Sequence, residues 1–304
     1  MVTMVIETEN LTRRFGKLVS VNNIDLKVPK GEIYGFLGPN GAGKTTTIRM
    51  LLGLIRPTSG EIRIFGQKLS GNELEILKKI GSLVEAPSYY SHLSGLQNLI
   101  IITKMLGLPE QRIEEAMEIV RLSKDARRPV KGYSLGMRQR LGIAMALIAK
   151  PELLILDEPT NGLDPAGIQE IRELITRLPH DYGATVLVSS HLLSEVEQMA
   201  THVGIIHQGA LIFQDSLSAL TARSMPKLRI ETDNTHNAAV ALQQLGWSVE
   251  ADKDAVVIPT VDRSQSAAVV EALVERRYPV YRAIECRKTL EDIFLELTGK
   301  GQSL

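Results

Sequence analysis

Eight consecutive residues, Gly38-Pro39-Asn40-Gly41-Ala42-Gly43-Lys44-Thr45, fit the pattern G-x-x-x-x-G-K-[ST]. Glycines at these places let the backbone curl until several N–H groups converge on phosphate oxygens. Lys44 then supplies a point charge beside the β- and γ-phosphates, and Thr45, followed by Thr46, offers a hydroxyl to Mg²⁺. A second group stands at 157–158, where the apolar run Leu153-Leu154-Ile155-Leu156 ends in Asp157-Glu158. Asp157 is the hard oxygen ligand that Mg²⁺ prefers. Glu158 suits the polarisation or deprotonation of an attacking water. The chemistry expected of the two groups together is hydrolysis of a nucleoside triphosphate.

Two elements must position each group. Residues 34–37 read as a short buried strand and 45–54 as a helix, so the glycine loop opens a helix whose first N–H groups face the anion. Residues 153–156 suit a parallel strand buried on both faces. In open α/β sheets ligands bind at the carboxyl ends of such strands, where Asp157 and Glu158 fall.

Three further segments narrow the class. Tyr133-Ser134-Leu135-Gly136-Met137-Arg138-Gln139 lies between the two phosphate motifs, Asn161-Gly162-Leu163-Asp164 follows the acids, and Ser189-Ser190-His191 follows the apolar residues 185–188. In this order the chain resembles the ATP-binding subunit of ABC transporters over roughly residues 5–214. The resemblance implies an α/β P-loop cassette with a parallel core sheet, an antiparallel β layer and an inserted helical subdomain. It implies ATP and Mg²⁺ as cofactors. Ser134 and Gly136 match the phosphate-touching positions of the family's signature, although Tyr133 and Leu135 depart from its usual residues. They would open a helix toward the γ-phosphate held by a second copy of the chain. Asp164 matches the loop along that dimer seam, and His191 the switch that bonds the γ-phosphate. Phe15 stands where the family stacks an aromatic on adenine; burial in the core is the other reading of a Phe there.

One position departs from the family. Where the loop into the helical subdomain usually carries Gln, this chain reads Ser82-Leu83-Val84-Glu85-Ala86-Pro87. Glu85 keeps an oxygen ligand for Mg²⁺ but loses an amide donor; a tolerated solvated variant is the alternative. A Glu here resembles transporters conferring bacitracin or lantibiotic self-protection. That points to an exporter of an antimicrobial peptide, with a hydrophobic drug as the next choice.

The composition is compatible with this reading. The 304 residues are 44% hydrophobic, and 35 basic and 35 acidic side chains cancel. No nucleic-acid partner is expected from that balance. Cys286 is the single cysteine, which excludes an internal disulfide and fits a reducing compartment. The first nine residues carry acids and do not read as a leader. No apolar run reaches the ~18–20 residues of a membrane helix. With the resemblance, this implies a separate integral membrane permease, and places the chain in the cytoplasm, peripheral on the cytoplasmic face of the membrane.

Along the chain, residues 5–28 alternate as strands up to Pro29-Lys30-Gly31 and 61–65 return as a strand. Residues 74–79, 96–105, 111–120 and 135–149 read as helices. The expected domains are 1–215, holding the cassette with its helical subdomain at about 88–150, and 216–304, a small accessory α+β domain. In the latter, strands are expected at 227–231, 247–250, 255–258 and 280–284, and helices at 235–245 and 264–277. A last amphipathic helix is expected, with Thr289 and Asp292 as a capping box, Leu290, Ile293, Phe294 and Leu297 on one face, and Gly299 as its stop. Its apolar face would meet the module, the cassette or a second subunit. Tyr89, Tyr90 and Leu93 are either permease contacts or packing residues. Competing functions are a soluble ABC ATPase working on ribosomes or DNA, disfavoured by the single cassette and the neutral charge, and an importer subunit.

Overall fold

The computed structural model describes residues 3–84, 88–222, 227–259, 263–286 and 293. The chain divides into two compact units, Met1–Leu217 and Ser218–Ser303.

The first unit is layered around a six-stranded sheet. From edge to edge its strands are Ala210–Ser216, His202–His207, Ile33–Leu37, Thr185–Ser190, Leu153–Asp157 and Ile80–Leu83. All neighbours are parallel except the antiparallel edge pair 202–207 with 210–216. Every residue of Ile33–Leu37, Leu153–Asp157 and Thr185–Ser190 is buried, as expected of strands covered on both faces. The strand order carries the functional consequence. Thr185–Ser190 lies between the glycine-loop strand and the acid strand, so His191 emerges at the same sheet edge as Lys44 and Glu158 without being near either in sequence.

A second, antiparallel sheet covers the core. Leu18–Ile24, Met4–Phe15, Ser59–Ile64 and Gln67–Lys68 pair in that order, and Lys27–Pro29 also pairs with Met4–Phe15. Its apolar face, with Ile6, Leu11, Val21, Ile24 and Ile64, shares one buried cluster with Phe36, Ile48 and Ile155. Three helices, Gly95–Met105, Gln111–Ile119 and Leu135–Leu147, form the insertion. The first is fixed by a reciprocal capping box: Gln97 N–H donates to Ser94 Oγ, and Ser94 N–H to Gln97 Oε1. The helix expected at 45–54 stops earlier, at Leu51, because Gly53 turns left-handed at φ 67°.

The second unit runs strand Lys227–Glu231, helix Thr235–Gln243, strands Glu250–Ala251 and Ala255–Pro259, helix Arg263–Glu275, and strand Arg282–Cys286. The four strands are ordered 250–251, 255–259, 227–231, 282–286, all antiparallel. This is the split βαβ arrangement. Leu228, Ile230, Leu242, Val256, Ile258, Val269 and Leu273 form its core. The strand expected at 247–250 begins only at Glu250. Residues before it close the helix, with Trp247 N–H bonded to Leu242 O and Gln243 Nε2 to Val249 O. Of the expected terminal helix only Ile293, buried and helical, is described; Thr289, Leu290, Asp292, Phe294, Leu297 and Gly299 lie outside the described residues.

Candidate active site at the carboxyl edge of the parallel sheet

Gly38 to Thr45 leaves the end of Ile33–Leu37 and enters the helix Lys44–Leu51. Gly43 precedes that helix at φ 112°, and a Cβ there would stand 2.5 Å from the Ser20 carbonyl oxygen. No other residue satisfies both the angle and the space. The strand Leu18–Ile24 thus supports the loop, and Ser20 Oγ meets Thr46 Oγ1 at 3.0 Å.

Lys44 is buried, and its Nζ donates to Gly38 O at 2.7 Å and pairs with Glu158 Oε1 at 3.0 Å. The other oxygen of Glu158 meets His191 Nδ1 at 2.6 Å. Glu158 therefore stands between the lysine of the loop and the histidine after the middle strand. Burial pushes its carboxyl upward, but hydrogen bonding and charge from Lys44, then from His191, outweigh it and hold the carboxyl below its usual range. Glu158 is ionised here, so the His191 Nδ1–H donates and Nε2 remains for another partner.

Behind these groups stands a support that the sequence did not announce. Ser189 Oγ accepts the Glu158 N–H at 2.9 Å and donates to Asp157 Oδ1 at 2.5 Å. One hydroxyl thus orients the Asp157 carboxylate and holds the Glu158 backbone, which is left-handed at φ 49°. Left-handed backbone at a Glu costs energy and is found where the surroundings impose it. The only sequence signal for Ser189 is its position, one residue beyond an apolar run.

The other expected residues stand as follows. Phe15 ends its strand opposite Leu18, 46% exposed, with the Arg13 guanidinium 4.5 Å over its ring; burial in the core does not describe it. Ser134 caps the helix Leu135–Leu147, its Oγ accepting Met137 N–H at 3.2 Å. Among the described residues no hydrogen bond or ion pair joins Ser134 to Lys44, Glu158 or His191. Gly136 lies near the Leu163 side chain, and Leu135 packs against Gly162. Asp164 caps the helix Pro165–Tyr182 by accepting Gly167 N–H at 2.9 Å. Pro39, Asn40, Gly41 and Ala42 complete the loop. Glu85 lies outside the described residues.

The oxygen donors Thr45 and Asp157 are of the kind Mg²⁺ takes. Thr45 is the second residue of a helix that packs on the strand ending in Asp157, so the donor set fits the ion.

Comparison with known proteins agrees with this architecture. The pattern of the family described as ABC transporter matches residues 21–161. A bacitracin transport ATP-binding protein of Bacillus licheniformis is 44% identical over 300 residues, 98% of this chain and 98% of that protein. A lantibiotic transport ATP-binding protein of Streptococcus pyogenes is 47% identical over 210 residues, 69% of this chain and 90% of that protein. Among solved structures, an ATP binding subunit of an ABC transporter superposes with a TM-score of 0.64 at 27% identity, covering 72% of this chain and 92% of that one.

Proposed function

The chain belongs to the ATP-binding proteins of ABC transporters, an ATPase family whose hydrolysis drives transport, and from that premise we propose that it powers export of an antimicrobial peptide of the bacitracin or lantibiotic kind. The full-length likeness to a protein named for bacitracin transport supports the substrate class. No described helix is long and apolar enough to cross a membrane. The transport path then belongs to a separate integral membrane permease, and the chain docks on its cytoplasmic face.

The observation that carries the catalytic reading is the Lys44–Glu158–His191 chain of contacts. In the proposed mechanism the loop N–H groups and the helix N-terminus of Lys44–Leu51 hold the β- and γ-phosphates. Lys44 moves its charge from Glu158 onto the phosphate oxygens. Glu158, relieved of that partner, accepts a hydrogen bond from the attacking water and aligns it with phosphorus. His191 donates a ring N–H to a γ-phosphate oxygen. Thr45 and Asp157 would hold Mg²⁺, which when bound would neutralise phosphate charge. Glu85 would offer a further oxygen ligand to that ion.

Ser134 makes no described hydrogen bond to this group and caps its own helix. It serves the site of a second copy, with Gly136 keeping the helix entrance free of a side chain. Two chains thus enclose two nucleotides, Asp164 lies at the seam, and Phe15 stacks on adenine.

The test is Glu158→Gln. This variant is expected to bind ATP, to form an ATP-dependent dimer on size exclusion, and to lose about 10²–10³ in kcat. Turnover near the parent rate would remove Glu158 from the mechanism. Recovery of a polytopic membrane protein with the tagged chain, from membranes solubilised in mild detergent, tests the permease. Recovery of ribosomal proteins instead would overturn the transport reading.

A further inference from the structure

Glu195 is a carboxylic acid inside the first unit that the mechanism above does not use. It is 5% exposed and lies on the short helix Leu193–Glu197 that follows His191. A single oxygen, Oε2, accepts two hydrogen bonds, from Thr160 Oγ1 at 2.6 Å and from Ser190 Oγ at 3.0 Å. Both donors are buried, at 4% and 2% exposure. Ser190 Oγ in turn accepts Leu192 N–H at 2.9 Å, and of the two acceptors in its reach Glu195 Oε2 at 3.0 Å is nearer than Leu192 O at 3.3 Å.

The identities of the two donors give this acid its meaning. Thr160 lies two residues beyond Glu158, and Ser190 lies one residue before His191. The carboxylate therefore joins the segment that carries Glu158 to the segment that carries His191, a second tie besides their own 2.6 Å contact. The acid is itself anchored. Its neighbour Val196 packs where a Cβ on Gly35 would come within 2.2 Å of Val196 Cγ1, so the helix sits flush against the strand that leads into the glycine loop. Only a glycine at 35 permits that approach. Three segments of the site, at 35–44, 158–160 and 189–191, thus take their spacing from one helical turn.

We propose that Glu195 is a positioning residue for ATP hydrolysis, setting the separation of Glu158 and His191 by tying Thr160 to Ser190. The proposal rests on the roles given above to Glu158 and His191. Stability alone is a poor reason for an ionisable acid at such a place, since an apolar side chain of similar volume often serves a core as well. A displacement of about 1 Å in a reacting group can cost on the order of a hundredfold in rate, so a small shift of either loop has a large reading in kcat and a small one in nucleotide affinity.

The experiment compares Glu195→Ala, Glu195→Gln and Glu158→Gln in the full chain, with kcat and KM for ATP expressed per folded molecule by circular dichroism at the assay temperature. Glu195→Ala is expected to lower kcat about ten- to a hundredfold while KM changes less than about threefold. Glu195→Gln keeps a carbonyl oxygen for both hydroxyls and is expected to regain most of that loss. Thr160→Val is expected to add little to Glu195→Ala, because both remove the same tie. An unchanged kcat in Glu195→Ala, or an equal loss in Glu195→Gln, overturns the proposal. So does additivity of Thr160→Val with Glu195→Ala. If Glu158→Gln still turns over, the underlying catalytic reading fails; if it is inactive while Glu195→Ala is unaffected, only the role of Glu195 fails.

Discussion

Gly41 and Gly43 both adopt left-handed backbone, at φ 79° and 112°, yet a methyl group would meet different surroundings at each. At Gly41 there is nothing within 4 Å, whereas at Gly43 the methyl would press on the Ser20 carbonyl at 2.5 Å. Gly41→Ala then carries the backbone term alone, about 1–2 kcal/mol. It is expected to hold nucleotide affinity within about tenfold. Gly43→Ala must move either the loop or the strand Leu18–Ile24, and is expected to abolish binding in a calorimetric titration with ATP. Equal affinities for the two variants would show that the Ser20 contact does not shape the loop. The glycine pattern was legible because it is local: eight residues whose spacing implies their use. The backbone that confines it was not, since Ser20 reaches it only through tertiary structure. Ser189 and Glu195 escaped for the same reason. A serine after an apolar run and a glutamate on a polar helix carry no signal until the strands at 153–157 and 185–190 are placed side by side.

Among the elements, the helix Pro165–Tyr182 separates two readings of one residue. The motif at 161–164 led to a nucleotide-side role for Asp164, and the structure also gives its carboxylate the N-cap of that 18-residue helix. Pro165 at the first turn and Gly183 at φ 66° after the last complete a helix with both ends defined. Asp164→Ala removes the cap and is expected to cost about 1 kcal/mol, a fall of roughly 2–4 °C in the melting temperature of a unit this size. Asp164→Asn caps nearly as well as Asp and is expected to melt within about 1 °C of the parent. Its ATPase rate then reports what the charge does apart from the cap. A parental melting temperature in Asp164→Ala would show that the cap is not needed. Long elements with a clear period were legible in the sequence, among them the helices at 111–119 and 135–147 and the strand at 153–157. Short ones were placed less well. The edge strand at 250–251 was expected three residues early, because the apolar Trp247 and Val249 fit a strand's alternation while in fact closing the preceding helix.

At the scale of the whole molecule, the described contacts of the candidate site are contained in one unit. Lys44, Asp157, Glu158, Ser189, His191 and Glu195 all fall within Met1–Leu217. The last strand of that unit is held from inside it. Gln214 accepts Lys27 N–H at 2.7 Å and the Tyr34 hydroxyl at 2.9 Å, and donates to Asp25 O at 3.2 Å. Tyr34 is buried, and burial pushes its phenol upward, so the hydroxyl stays a donor at any working pH. Leu217 N–H closes the edge on Thr201 O. A chain ending after Leu217 therefore keeps each of these ties, while Ser218–Ser303 has a hydrophobic core of its own. The truncated chain is expected to fold cooperatively and to bind ATP within about threefold of the full chain. That outcome would leave dimerisation and coupling to a permease, and not nucleotide binding, as the steps open to the second unit. Measuring ATP affinity and ATP-dependent dimerisation on both lengths separates these contributions. A folded truncation that no longer binds ATP would place part of the nucleotide site's support beyond Leu217. Loss of dimerisation with affinity intact would assign that step to the second unit.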